Sequence, residues 1–202
     1  MDETPENEYK KRASLTNILA MAKRLFGISI KENGTYADFT MGNGNDALYM
    51  KKACPSGSIY AFDIQQDAVE TTKKLFESEN CLDAGAHLIC DSHANFRKYI
   101  HEKLDGAIFN LGYLPKGDKS ITTMVQSTLE CLRGALEILE IGGVIVVCAY
   151  PGHDEGAKEG EEILELAKSL DHKEFDCLYH RLVNIPAAPY IIAFQKKAPK
   201  RI

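Results

Sequence analysis

Thr35-Tyr-Ala-Asp-Phe-Thr-Met-Gly-Asn-Gly-Asn-Asp-Ala47 is a β-prone run that breaks at a pair of glycines and re-enters a helical pattern. The reading is a strand over 35–40, a turn at Gly42-Asn-Gly44, and a helix to 53. On a strand-to-helix turn, Gly42-x-Gly44-x-x-Ala47 fits the fingerprint G-x-G-x-x-G/A. Two glycines let the backbone come close to a ligand and take conformations closed to residues with a Cβ.

Working outward, the alternation repeats. A second strand over 58–62 is closed by Asp63 and followed by a helix to about 79. A third over 86–90 is closed by Asp91 and followed by a helix to about 101, and a fourth covers 106–110. Val125, Leu129, Leu132, Leu136 and Leu139 share one face of a long helix over 122–140. The most apolar strand, 144–149, lies between Gly142-Gly143 and Pro151-Gly152, and an acidic helix follows at 159–170. Two strand-like runs, 175–183 and 190–195, end the chain with no helix between them. Repeated strand–helix units predict a parallel sheet covered on both faces. The last pair must be an antiparallel hairpin, because a parallel crossover needs a dozen or more residues. The expectation is an α/β, Rossmann-like domain over 1–202, with a mostly parallel seven-stranded sheet and a C-terminal antiparallel hairpin.

The chain has 202 residues, 45% of them apolar and 26% charged, enough to bury one sizeable core. With 24 Lys and Arg against 29 Asp and Glu, the net charge of −5 excludes a tight, indiscriminate nucleic-acid binder. The apolar runs are too short to span a membrane, and the acidic start Met1-Asp-Glu-Thr-Pro is no signal peptide. Six scattered cysteines without a Cys-x-x-Cys pair read as reduced thiols of a cytoplasmic protein, with no metal site. Charge is nonetheless patterned. Residues 1–8 are acidic and expected to be disordered, whereas 9–31 hold Lys10, Lys11, Arg12, Lys23, Arg24 and Lys31 with no acid. Leu15, Ile18, Leu19, Ala22 and Phe26 make one face of a basic amphipathic helix over 10–26, ended by Gly27.

Asp63 stands 19 residues beyond Gly44, at the end of the second strand, where a carboxylate can accept from ribose hydroxyls. Nicotinamide dinucleotides and S-adenosyl-L-methionine share that requirement. A pyrophosphate wants a helix N-terminus with free N–H groups, and Asn43, Asn45 and Asp46 would crowd it. These side chains suit the ammonium, carboxylate and sulfonium of the methionine end, although Asp46 equally suits a helix dipole. Asp91, Ser92 and His93 end the third strand where an adenine would lie, Ser92 being equally a helix cap. Five parallel units ending in a hairpin favour a class I methyltransferase over a dehydrogenase, whose sheet more often has six parallel strands. An NAD-dependent oxidoreductase and a non-catalytic RNA-binding module remain the competing classes.

Several strings are more specific than the glycine turn: Thr40-Met-Gly-Asn-Gly-Asn-Asp46, Phe62-Asp-Ile-Gln65, Asp91-Ser-His-Ala-Asn95, Phe109-Asn-Leu-Gly-Tyr-Leu-Pro115, Gly117-Asp-Lys-Ser-Ile-Thr-Thr123 and Tyr150-Pro-Gly-His153. Together, from about 13 to 196, they resemble a family of small bacterial methyltransferases once labelled rRNA methylases. Characterised members N-methylate 5-aminomethyl-2-thiouridine at the tRNA wobble position to the 5-methylaminomethyl form. The resemblance implies S-adenosyl-L-methionine as cofactor, touched by Asn43, Asn45, Asp63, Gln65, Ser92 and His93, and a tRNA anticodon stem-loop as substrate. Asn45 replaces a usual His and Met41 a common Cys. The same class acting on rRNA or on a small amine is the nearest alternative.

Asn110 and Tyr113, in Asn-Leu-Gly-Tyr-Leu-Pro, resemble the Asn-Pro-Pro-Tyr segment of amino-methyltransferases. An Asn oxygen can accept from an amine and aim its lone pair, and Tyr113 can wall or stack on a base. A primary amine is mostly protonated at neutral pH, so a base is needed, and Asp118 and His153 are the candidates. Lys116 and Lys119 flank this loop, and with Lys10, Lys11, Arg12, Lys23 and Arg24 they are the expected RNA contacts. Whether the chain forms a homodimer stays open.

Overall fold

In this computed structural model, residues 15–111, 124–152 and 154–199 are described. Strands β1 (Thr35–Asp38), β2 (Ser58–Asp63), β3 (Ala86–Cys90), β4 (Leu104–Asn110), β5 (Leu139–Ala149), β6 (Phe175–His180) and β7 (Tyr190–Lys196) form one sheet in the order 3-2-1-4-5-7-6. The first five strands are mutually parallel, while β7 runs antiparallel to both β5 and β6. The expected parallel sheet with a terminal antiparallel hairpin is therefore the fold. Helices α1 (Ile18–Phe26), α2 (Asn45–Ala53), α3 (Gln66–Ser78), α4 (Val125–Ile138) and α5 (Asp154–Ser169) cover it. None of the described helices is long and apolar enough to cross a membrane.

The period of two along each strand sends alternate residues into two cores. Phe39, Phe109, Ile145, Val147 and Ile192 pack with Leu132 of α4 and Ile163 of α5. Tyr36, Ile59, Ile108, Val146 and Ile191 pack with Phe26 of α1, Met50 of α2 and Phe76 of α3. Strands apolar on both faces are the consequence.

Several sequence readings need correction. Residues 15–17 form a turn, and α1 starts at Ile18 because the Asn17 side chain caps it, accepting from Ala20 N at 3.0 Å. Gly27 ends the α-helix but continues into a 3-10 turn over Gly27–Ser29. The helix expected after β3 is a 3-10 turn, His93–Lys98, and α5 begins at Asp154 instead of 159. Strand β5 begins at Leu139, earlier than the apolar run predicts. Its pairing advances from Leu139 to Val144 while β4 advances from Leu104 to Gly106, so residues around Gly142 (φ 84°) bulge out. Residues 1–8, and 10–14 of the expected N-terminal helix, lie outside the described residues.

Gly106 lets α1 seat on the sheet: a Cβ there would stand 2.7 Å from Ser29 Oγ, 2.8 Å from Phe26 Cε2 and 2.9 Å from the Val144 carbonyl. Gly106→Ala is expected to lower stability by about 1–3 kcal/mol through overpacking. Gly152→Ala, with nothing among the described residues within 4 Å of the new methyl, should stay within about 0.5 kcal/mol of the parent. Urea midpoints at unchanged m-value measure both.

Candidate functional site

All five parallel strands end at one edge, and β1 sits between β2 and β4 where the strand order reverses, the place where such sheets hold ligands. The glycine turn is tied there from several sides. Met41 N donates to Phe62 O at 2.8 Å and Gly42 N to Asp63 Oδ2 at 2.9 Å, while Gln65 N donates to Asp63 Oδ1 at 2.9 Å. Each Asp63 oxygen keeps acceptor capacity for a ligand. Gly42 and Gly44 have φ of 50° and 77°, and a Cβ on Gly44 would lie 2.5 Å from Thr72 Cγ2. Thr72 Oγ1 donates to Gly42 O at 3.2 Å, so α3 buttresses the turn. Asn43 and Asn45 are exposed on it.

Asp38 was not anticipated from sequence. Its carboxylate, 1% exposed at the end of β1, accepts from Thr40 N and from Ala47 N, both at 3.1 Å. Burial, with the nearby negative charge of Asp46, pushes its pKa up against those two donors. A lone acid in an apolar strand, just ahead of the glycine turn, is the signal that could have found it. Thr72 has no comparable local signal, since only the tertiary fold brings it to the turn.

Beyond β3, Asp91 accepts from Ser92 N (2.7 Å), Asn95 Nδ2 (2.8 Å) and Tyr99 Oη (2.9 Å), and these donors hold its pKa below the usual range. It is thus committed to shaping the turn. Ser92 caps that turn, its Oγ accepting from Ala94 N at 3.3 Å. His93 is buried beneath, its Nδ1 3.0 Å from Phe39 O, which leaves Nε2 buried without a partner among the described residues. The carbonyl contact makes Nδ1 the protonated nitrogen and Nε2 a bare acceptor. Burial lowers the His93 pKa, so the neutral ring is favoured.

At the end of β4, Asn110 N donates to Thr40 Oγ1 at 2.7 Å and Nδ2 donates to Asp46 Oδ2 at 2.5 Å. The amide orientation is thereby set, and Oδ1 is left buried with no partner among the described residues. Lys23 of α1 closes the cluster, its Nζ 3.2 Å from Asp46 Oδ1 and 5.1 Å from the centre of the Tyr49 ring. Of the expected basic contacts, Lys23 therefore meets a carboxylate of this site, and Arg24 is exposed beside it. One edge thus unites Gly42, Gly44, Asp46, Asp63, Gln65, Asp91, Ser92, His93 and Asn110. Lys10, Lys11, Arg12, Tyr113, Lys116, Asp118, Lys119 and His153 lie outside the described residues.

A seven-stranded 3-2-1-4-5-7-6 sheet, with a glycine turn after β1 and an acid closing β2, defines a Rossmann-like fold of the class I methyltransferase type. The family described as "Putative rRNA methylase" matches residues 59–196, and the chain belongs to it. A structure described as a "putative rRNA-methylase" from Clostridium thermocellum is 35% identical, with a TM-score of 0.87 over 91% of this chain and 100% of that one. A "putative methyltransferase" from Streptococcus mutans, solved in complex with SAH, is 31% identical, with a TM-score of 0.79 over 97% of this chain and 99% of that one. The Arabidopsis thaliana protein named "tRNA (mnm(5)s(2)U34)-methyltransferase, chloroplastic" is 34% identical over 183 residues, which is 83% of this chain and 65% of the plant protein's length.

The two buried titratable groups impose opposite pH slopes. His93, with its pKa lowered in the fold, contributes stability that is present above about pH 6.5 and lost as pH falls. Asp38, with its pKa raised, contributes stability that is present below about pH 4 and lost as pH rises through its folded-state value. Unfolding free energy measured at pH 5, 6, 7 and 8 should therefore rise less steeply with pH in His93→Gln than in the parent. In Asp38→Asn it should rise more steeply.

Proposed function

We propose that this protein is an S-adenosyl-L-methionine-dependent tRNA methyltransferase that N-methylates the aminomethyl group of 5-aminomethyl-2-thiouridine at the wobble position. The observation that carries the reading is Asn110, with Nδ2 held by Asp46 and Oδ1 buried, fixed in orientation beside the glycine turn and without a partner among the described residues. Similarity to the plant wobble-uridine methyltransferase supports the choice of substrate.

The residues present fit the cofactor. Asp63 has lone pairs for ribose hydroxyls, Gly42 and Gly44 open the backbone to close approach, and the bare His93 Nε2 is an acceptor awaiting a donor. Asn43, Asn45, Gln65 and Ser92 complete the proposed cofactor contacts. When bound, the cofactor supplies a methyl group activated on a sulfonium. The protein's part is mostly positioning: methyl transfer to nitrogen needs the amine lone pair on the S–CH₃ axis, and that alignment is worth orders of magnitude in rate. Asn110 Oδ1 accepts an amine N–H and so aims the lone pair, while Asp46 prevents the amide from flipping. Asp118 or His153 takes the proton, Tyr113 walls the base, and Lys10, Lys11, Arg12, Lys23, Arg24, Lys116 and Lys119 remain the proposed RNA contacts. The setting is cytoplasmic.

A nicotinamide dinucleotide fits less well. Its diphosphate belongs at the N-terminus of α2, where the Asp46 carboxylate is held by Asn110 and Lys23. The family's description as rRNA methylases favours ribosomal RNA as the second reading of the substrate.

The deciding experiment incubates the protein with tRNA lacking the modification and with labelled cofactor, then identifies the nucleoside by mass spectrometry. Methyl on the wobble uridine is expected. Methyl found only on ribosomal RNA in a parallel reaction would instead establish the second reading. Asn110→Ala should lower kcat about 100-fold, the scale of losing one oriented polar contact at a reacting centre. Its affinity for S-adenosylhomocysteine should stay within about threefold. Asp63→Ala should show the converse first, weakening calorimetric binding of S-adenosylhomocysteine about 10- to 100-fold through loss of charge-assisted hydrogen bonds.

A further inference from the structure

Residues 181–189 join β6 to β7 at the same edge as the glycine turn, because Tyr190 pairs with Ala149. Asn110 pairs with Cys148, Cys148 with Ile191, and Ile191 with His180, so four strands share one row. Asn110 and His180 are thus three strand spacings apart, about 14 Å at about 4.8 Å per spacing. Arg181 is the next residue.

Arg181 is exposed, yet it is braced. Its Nη1 donates to Tyr179 Oη at 3.3 Å and its Nη2 to Pro186 O at 2.5 Å, and Cζ stands 5.9 Å from the centre of the Tyr190 ring. The two tyrosines meet edge to face at 5.2 Å. Pro186 and Pro189 restrict the loop, and Ala188 N donates to Ile185 O at 3.2 Å within it. Among the described residues no ion pair joins Arg181 to a carboxylate. A guanidinium has five N–H donors, and two are engaged here, so three remain for an acceptor. A pre-positioned planar fork suits a phosphate, since little side-chain freedom is left to lose on binding.

We propose that Arg181 binds a backbone phosphate of the substrate RNA flanking the reacting nucleotide, a role that rests on the RNA-methyltransferase reading above. Arg181 lies over Tyr190, on the side of the sheet carrying α4 and α5, whereas the Asn110 amide meets Asp46 on the other side. The RNA strand therefore passes over the sheet edge, with its base at Asn110 and its backbone at the β6–β7 loop.

The test is steady-state methylation of unmodified tRNA between 50 and 200 mM salt by the parent, Arg181→Gln and Arg181→Lys, with calorimetric binding of S-adenosylhomocysteine on each. Arg181→Gln keeps a donor for the Pro186 carbonyl and removes the charge. It should raise KM for tRNA roughly three- to tenfold, with kcat and cofactor affinity unchanged, and reduce the salt slope of log KM by about one. Arg181→Lys should recover the slope and only part of the affinity, because an ammonium cannot fork. An unchanged KM, or a raised KM with an unchanged slope, overturns the phosphate contact while leaving the parent's tRNA activity as evidence for the enzyme. A parent that binds S-adenosylhomocysteine but methylates no RNA overturns both.

Discussion

A carboxyl group buried at the end of β1 is the constraint on which the site depends. Asp38 accepts one N–H from the residues leaving the strand and one from the helix that follows, so one carboxylate closes the glycine turn from both ends. Burying a polar group costs a few kcal/mol unless it is hydrogen-bonded. The cost is offset only while Thr40 and Ala47 hold their places, which makes the turn one discrete shape. Asp63 does the same from the neighbouring strand through Gly42 and Gln65. A loop held by two carboxylates keeps its N–H groups aligned before any ligand arrives.

Asp46 extends that order outward. It stands on the first turn of α2, orients Asn110 on β4 and meets Lys23 on α1. Three elements distant in sequence therefore converge on one side chain. The helix-dipole role open to Asp46 from sequence is compatible with this, but it accounts for neither partner. The Asn110 amide would be free to rotate without it, and an acceptor that rotates gives up the orientation on which the proposed transfer to nitrogen relies.

The fold was legible because its signals are local. Seven β-prone runs, the glycine turn, and a terminal pair too closely connected to be parallel are all features of short windows. The misread boundaries have physical causes outside such windows. Leu139-Glu-Ile141 continues a helical period, yet it is drawn into β5 by pairing with Leu104, and the surplus residues are expelled at Gly142. The segment after Ser92 tightens into a 3-10 turn because Asp91 gathers Ser92, Asn95 and Tyr99. At the site, Asp63 and Asn110 could be found because each ends a strand, and His93 because it follows one closely. Asp38 resembled an interruption of an apolar run, and Thr72 and Arg181 acquire their surroundings only when α3 and the final hairpin are in place.

The seating of α1 has a consequence in time. Its buried face, Ala22 and Phe26, packs on β4, β5 and β7, and β5 begins 113 positions after α1 ends. On a ribosome the helix emerges first, yet its docking surface is finished only when the last strand has been made. Contacts of such long sequence separation close late and slowly. The Lys23–Asp46 pair joins that helix to α2, so the candidate site takes its full shape only once α1 is seated.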